Sequence, residues 1–537
     1  MENTNEKKQP WQAAFCVRFG IRCMGNNDCG GVGIQETNYQ KNASKKLLIV
    51  ILWLILSAGI YWCSVSTRDN KEKGDLAENE RTEQEETSYD NKEDTSLDRE
   101  AISKEEALSD MIRVLIRTND FIGIYHDQLR ITCNNGFMAE LGSSVTEYDA
   151  GEELVINKES FQDGAMIKLT GKGGGMLRVT NIKRNTEVSY RGAMECYRTN
   201  EGIVLINELT VEEYLYGVVP SEMPSSYPSE ALKAQAISAR TYTYFHKKSY
   251  AYPEWRANVD DSTSFQVYKN IEETAEARNA VDETRNKILT YDNEVIESFY
   301  YSTSSGYNGG ARVWSEQEND SDNYLRETGE AVFAQNSKEG EAAYKQFIDN
   351  GNLSDAECTE AWYRWNYEKS FEGEACRKFL RHLYELSNQQ PQNVRIRSQY
   401  LSKDKLLEEG AIKDIRVLTR QKSGLVTSLL IETANFRISV KTQHMIRQAL
   451  GVSGDVVIKN DGSQYSMGDI LPSAYFYIEK RENGDNLKSI AIHGAGLGHG
   501  CGMSQNGAKC LAAKGLTAYE ILAYYYNGTI KSVEDLK

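Results

Sequence analysis

Nineteen consecutive residues, Leu47 to Val65 (LLIVILWLILSAGIYWCSV), carry no charge. An apolar run of that length matches a helix crossing a bilayer and is hard to place in an ordinary soluble domain. Residues 1–46 hold seven Lys/Arg against four acids, and Lys45 and Lys46 abut the run. Residues 66–100 hold 13 acids against six bases. Positive charge stays on the cytoplasmic side, so the N-terminus is expected in the cytoplasm and residues 66–537 outside. A cleaved signal peptide is the other reading. It needs a shorter apolar core and small residues at the cleavage site. The 46-residue lead favours an uncleaved, single-pass anchor in the cell membrane.

The averages conceal this anchor. The chain has 537 residues, a net charge of −16 and a mean hydropathy of −0.58. A strongly acidic chain is a poor partner for nucleic acid, whose phosphates call for Lys and Arg. Six histidines leave little room for a three-His zinc site. Tyr is abundant, at 32 residues. Its amphipathic ring suits sugars, although most Tyr simply pack with the hydroxyl wet. Six cysteines fall in the outer part: Cys133, Cys196, Cys358, Cys376, Cys501 and Cys510. An oxidising space permits three disulfides, with Cys358/Cys376 and Cys501/Cys510 as the local pairs. Free buried thiols are the other reading.

Residues 66–108 are polar and self-repelling, as in a disordered spacer. Alternation then begins at Met111-Ile112-Arg113-Val114-Leu115-Ile116, and short strands broken by Gly-rich turns continue to residue 200. The expected order is a β-rich part over 109–200, a core over 201–315, a helical insertion over 316–400 and a C-terminal part over 401–537. Ser229 to Tyr244 is a strong helix former. Strands fit 413–418, 425–432, 436–440, 475–478 and 490–493, and helices fit 442–450 and 517–526. No βαβ series is visible, so the fold class is α+β, a mixed β-rich region with packed helices behind one transmembrane helix.

Three of the seven prolines, Pro220, Pro224 and Pro228, fall within nine residues. Proline fixes φ, so a stiff loop is expected there, running into the Ala-rich helix. Glu222 sits inside it. A carboxylate on a rigid turn is what positioned acid/base work needs. A solvated or helix-capping carboxylate is the plainer reading. A nearby helix N-terminus would lower the pKa of Glu222. Burial, against Met223 or Tyr227, would be needed to raise it again.

The stretch 190–244 (YRGAMECYRTNEGIVLINELTVEEYLYGVVPSEMPSSYPSEALKAQAISARTYTY) resembles the family of stage II sporulation protein D and the amidase enhancer LytB. The closing stretch GAGLGHGCGMSQNGAKCLAAKGLTAYEILAYYYNGTI (494–530) and Tyr300 to Gly310 (YYSTSSGYNGG) resemble the family's C-terminal signature and its middle Ser/Gly motif. The resemblance implies a peptidoglycan lytic transglycosylase, with the Glu of the S-E-M-P motif, Glu222, as its acid. It implies glycan strands stripped of stem peptides as substrate, and no cofactor. Lys233 and Arg240 lie two turns apart on one helical face, placed to hold Glu222 or to bind substrate; a solvated face is the other reading. Gln235, Ser304, Ser305, His499, Ser504 and Gln505 are the further candidates for the groove. For His499 a structural role in a glycine-rich turn is the other reading.

Some members of that family carry zinc through Cys and His. The matching segments here, 260–268 and 301–310, contain neither, so no metal is expected. The run Gly494-x-Gly496-x-Gly498-x-Gly500 lacks the Gly-x-Gly-x-x-Gly spacing and a βαβ unit, so no dinucleotide site is expected. Two other functions stay open: a non-catalytic glycan binder that stimulates a cell-wall amidase, and a structural wall anchor in a membrane complex.

Overall fold

The computed structural model describes residues 102–314, 323–351 and 357–537. The expected cytoplasmic tail, the apolar run 47–65 and the expected spacer up to residue 101 lie outside the described residues. No helix among the described residues is long and apolar enough to cross a membrane. Residues 102–108, expected as the end of the spacer, are described. A single helical turn, Lys104–Ala107, is capped by Ser103 and buries Ala107.

The first half is built on a seven-stranded sheet. Its order is Val259–Asp260, Met111–Ile116, Ile203–Thr210, Ala193–Arg198, Met166–Gly171, Phe137–Leu141 and Ser144–Tyr148. The alternating strand at 111 is thus near one edge, with Ile112 opposite Leu209 and Val114 opposite Asn207. Three helices follow: α1 (Val211–Glu222), α2 (Ser229–His246) and α3 (Ala275–Glu283). Thr210 caps α1 in a reciprocal box with Glu213, which satisfies its first amides. Helix α2 packs against α1 and α3, and its Ala231, Ala234, Ala236 and Ala239 are fully buried. A helix enclosed on nearly all sides needs small residues, because they let neighbouring backbones approach.

The second half contains α4 (Lys338–Asn350), α5 (Glu374–Gln389), α6 (Gln443–Leu450), α7 (Gln505–Ala513) and α8 (Ala518–Tyr525). The expected helical insertion at 316–400 is corrected here. It contains the strand Trp365–Ser370, which lies in the middle of a five-stranded sheet and pairs with Asn486–Gly494. Residues 316–400 therefore share a sheet with the C-terminal part. The strand obeys period two, with Trp365, Tyr367 and Lys369 buried and Asn366, Glu368 and Ser370 exposed. A four-stranded sheet, ordered Val394–Arg397, Arg437–Lys441, Val426–Glu432 and Asp414–Arg420, completes this half. Helices α7 and α8 return to pack on α2. The chain end thereby meets the first half beside Glu222.

Cys133, Cys196, Cys376 and Cys510 are free thiols, so neither expected local disulfide is formed.

Candidate active site

Glu222 is the last residue of α1, not a member of a proline loop. Pro220 lies inside the last turn of that helix, and the Met223 amide still closes onto the Val219 carbonyl at 2.9 Å. This reverses the expected electrostatics. A helix C-terminus carries partial negative charge and disfavours a second negative charge beside it. Met223 is fully buried and Tyr227 half-buried, as expected of groups that shield the carboxyl.

One backbone amide and two side chains converge on the carboxyl. The Val267 amide donates to Glu222 Oε1 at 2.7 Å. The polar side chains of Gln505 and Tyr300 bear on it as well. Burial is the larger effect and pushes the Glu222 pKa up to about 7, while these three groups, which favour the ionised form, hold it down. Buried Tyr214 and Tyr242 also sense its charge.

Each donor has its own support. Val267 lies on the loop 259–269, tied to the sheet by two buried aspartates. Asp260 accepts Arg117 Nη2 at 2.9 Å and Tyr252 Oη at 2.6 Å, and Asp261 accepts Arg184 Nη2 at 2.6 Å. Burial raises Asp261 to about 6, against the pull of Arg184. The loop crosses α1 at Gly217, where an added Cβ would lie 2.6 Å from the Tyr268 ring. Tyr300 is oriented by Gln266, whose Nε2 donates to the phenol oxygen at 2.9 Å. That oxygen is then an acceptor, which leaves its proton for Glu222. Gln266 is held by Ala239 at 3.2 Å and Thr243 at 3.0 Å, both on α2. Gln505 is the first residue of α7.

Tyr300 and Gln505 arrive together. Tyr300–Tyr301 and Met503–Ser504 form a parallel pair, with Tyr301 opposite Ser504. His499 locks this pair. Its Nδ1 accepts the Cys501 amide at 3.2 Å, so Nε2 bears the proton given to the Tyr300 carbonyl at 3.0 Å. His499 thus acts as the turn-fixing histidine. Gly496, Gly498, Gly500 and Gly502 all have positive φ, and a Cβ on Gly502 would lie 1.9 Å from the Phe299 carbonyl oxygen.

Five of the expected groove residues have structural roles instead. Arg240 is fully buried and holds Glu212 with two bonds, at 2.9 and 2.7 Å, while giving its other donors to the Val281 and Lys287 carbonyls. None of these donors is directed at Glu222. Lys233 pairs with Glu230 at 2.8 Å and Glu283 at 2.6 Å, on the α3 side. The shared helical face is real, but it looks toward α3. Ser304 and Ser305 are buried, with their hydroxyls bonded to the Gly306 amide and the Tyr307 carbonyl. Ser504 is fully buried as the cap of α7. Gln235 is fully buried and its amide makes no hydrogen bond among the described residues. The site residues missed in the sequence are Tyr300, Gln266 and the Val267 amide. All three lie in segments inspected only for metal ligands or small residues.

The raised pKa has a consequence for stability. Glu222 binds its proton more tightly folded than unfolded. Its contribution is full below the unfolded value, near 4.5, and is lost as pH rises through about 7. Glu222→Gln removes that loss. The variant is expected to gain on the wild-type chain by about 2–3 kcal/mol between pH 4.5 and pH 8. Denaturant unfolding of both chains across this range measures it, and parallel curves would contradict the burial described.

Residues 199–291 match the sequence model of a family described as Stage II sporulation protein (SpoIID). Residues 307–502 match a domain of unknown function, DUF8618. The chain is 27% identical over 406 residues to the stage II sporulation protein D of Bacillus subtilis, covering 73% of this chain and 91% of that one. It is 28% identical over 327 residues to the amidase enhancer of Bacillus subtilis, covering 59% of this chain and only 40% of that relative. An uncharacterized protein of Brachyspira hyodysenteriae is 28% identical over 344 residues, covering 64% of this chain and 72% of that one.

Proposed function

Because residues 199–291 match the stage II sporulation protein family, we propose that this chain remodels the bacterial cell wall as an anchored peptidoglycan lytic transglycosylase of that family, with Glu222 as its acid and base. The substrate is a glycan strand stripped of stem peptides, and the bond cut joins N-acetylmuramic acid to N-acetylglucosamine. The process is of the kind that accompanies sporulation, and residues 47–65 hold the chain on the outer face of the membrane.

The observation that carries this reading is one carboxyl, enclosed by Val267, Tyr300 and Gln505, with a pKa raised to about 7. An acid/base group works best when its pKa lies near the operating pH. Hydrolytic glycosidases usually need two carboxylates flanking the bond. Among the described residues, none of the groups that bear on the Glu222 carboxyl is a carboxylate. A single carboxyl suffices if the sugar supplies the nucleophile. Glu222 then gives its proton to the leaving glycosidic oxygen as the C1–O bond breaks. The C6 hydroxyl of the muramoyl ring bonds to C1 and returns its proton to Glu222. The new end is a 1,6-anhydro sugar, and no water is consumed.

The first step needs the protonated carboxyl, so activity is expected to fall as pH rises above about 7. Tyr300→Phe deletes a donor to the ionised form and raises the pKa, so the fall moves to higher pH. A pH profile of the variant that overlays wild type would count against this site.

The second reading is a non-catalytic activator of a cell-wall amidase, which the name of the Bacillus subtilis relative favours. The full chain is incubated with peptide-free glycan in one arm, and with an amidase and intact wall in the other. Anhydro ends in the first arm support the enzyme. Amidase stimulation that is equally strong in Glu222→Gln, with no anhydro ends, supports the activator.

A further inference from the structure

Glu357 lies outside residues 199–291, in the segment that matches the domain of unknown function. It nonetheless bonds to the two segments that carry Tyr300 and Gln505. It is only 3% exposed. One of its oxygens, Oε2, accepts two hydrogen bonds. The Ser304 amide donates at 2.8 Å and the Ser504 hydroxyl at 2.7 Å. Ser304 ends the strand–loop that begins at Tyr300, and Ser504 caps the helix that begins at Gln505. The other oxygen lies against Gly507, where an added Cβ would be 2.8 Å away.

We infer that Glu357 is a positioning residue for this site, joining the Ser304 loop to the first turn of α7 so that Tyr300 and Gln505 stay directed at Glu222. The lever is short. Ser504 immediately precedes Gln505, and Tyr301 is its strand partner. Residues 307–502 thereby complete a site whose acid lies in another segment. A glutamine with its carbonyl at the Oε2 position accepts both bonds.

The titratable groups facing Glu357 are Tyr227, Tyr301 and Cys510. Those facing Glu222 are Tyr214, Tyr242 and Tyr300. Each of these six stays neutral well above pH 7, because burial raises them all or their ordinary values are already high. Asp261, raised to about 6, is common to both chains of each comparison and cancels when the Glu222→Gln chain is subtracted, so the remaining change near neutrality is assigned to Glu222.

The test is a difference infrared titration of the full chain, in which the Glu222 carboxyl band is isolated by subtracting the matching Glu222→Gln chain. In Glu357→Ala the two motif loops separate, the Gln505 bond weakens and the Glu222 band is expected to titrate at higher pH than in wild type. In Glu357→Gln it is expected to titrate as in wild type. On glycan strands, Glu357→Ala is expected to lower kcat by about 10- to 100-fold with little change in KM, the order expected of a small misplacement. Should Glu357→Ala fail to fold, Ser504→Ala removes the hydroxyl donor to the same oxygen, and the same upward shift is expected. A wild-type titration in the alanine variants, or a shift in Glu357→Gln as large as in Glu357→Ala, overturns the inference. The rate change rests on the lytic reading, but the titration does not. A chain that forms no product yet shows the shift refutes the lytic reading and supports this one.

Discussion

Glu222→Gln is expected to lower the formation of anhydro-muramoyl ends by about 10²–10⁴-fold, the usual range for loss of a general acid/base. The amide matches the carboxyl in size but has no acidic proton to give to the leaving oxygen. The geometry around it supports this use. Val267 donates to Oε1 through a backbone amide that no side-chain exchange removes. That amide is held by a loop with two buried aspartates against Arg117 and Arg184. Binding is expected to change far less than rate. Affinity for peptide-free glycan, measured by calorimetry, should stay within a few-fold of wild type, because the change is confined to the reacting atoms. A variant that loses binding together with rate would point to Glu222 as a contact, not an acid.

The second large effect concerns stability. Arg240→Met is expected to destabilise the chain by about 3–5 kcal/mol, because it leaves the largely buried Glu212 carboxylate without its partner. The pair links α1 to α2, and the Arg240 bonds to Val281 and Lys287 extend the link to α3 and the strand after it. The double change Arg240→Met with Glu212→Leu is expected to recover most of the loss, since neither charge then remains buried alone. Denaturant midpoints of the three chains test it. An Arg240 that served substrate instead would raise KM and leave the midpoint unchanged.

Much of this was legible in the sequence, and the failures have identifiable causes. The alternation at 111–116 and the Ala-rich run at 229–244 gave elements of the right type, because periodicity reports which face is buried. The prolines single out Glu222; Pro224 and Pro228 do lie in the short loop that runs into the Ala-rich helix, whereas Pro220 and Glu222 belong to the last turn of α1. Pro220 lies so near the end of α1 that its missing N–H disturbs only the last turn. Lys233 and Arg240 do share a helical face, but spacing says nothing about which neighbour that face meets. That neighbour is α3, through Glu283, and Arg240 also reaches back to Glu212 on α1. Helix α7 carries a weak sequence signal, because its first turn follows a glycine-rich run, where loop signals dominate. The strand Trp365–Ser370 was hidden by helix-favouring residues on either side, even though its alternation is clear once seen. Tyr300 and Glu357 carried no local signal. Their importance comes from contacts across 78 residues to Glu222 and 147 residues to Ser504.

The most direct measurement is the mass of the new sugar end. Peptide-free glycan strands are digested with the full chain, and the products are resolved by mass spectrometry. The account predicts ends lighter by one water than reducing muramic acid, formed by wild type and absent with Glu222→Gln. Reducing ends at the same position, or anhydro ends made equally well by Glu222→Gln, would contradict it.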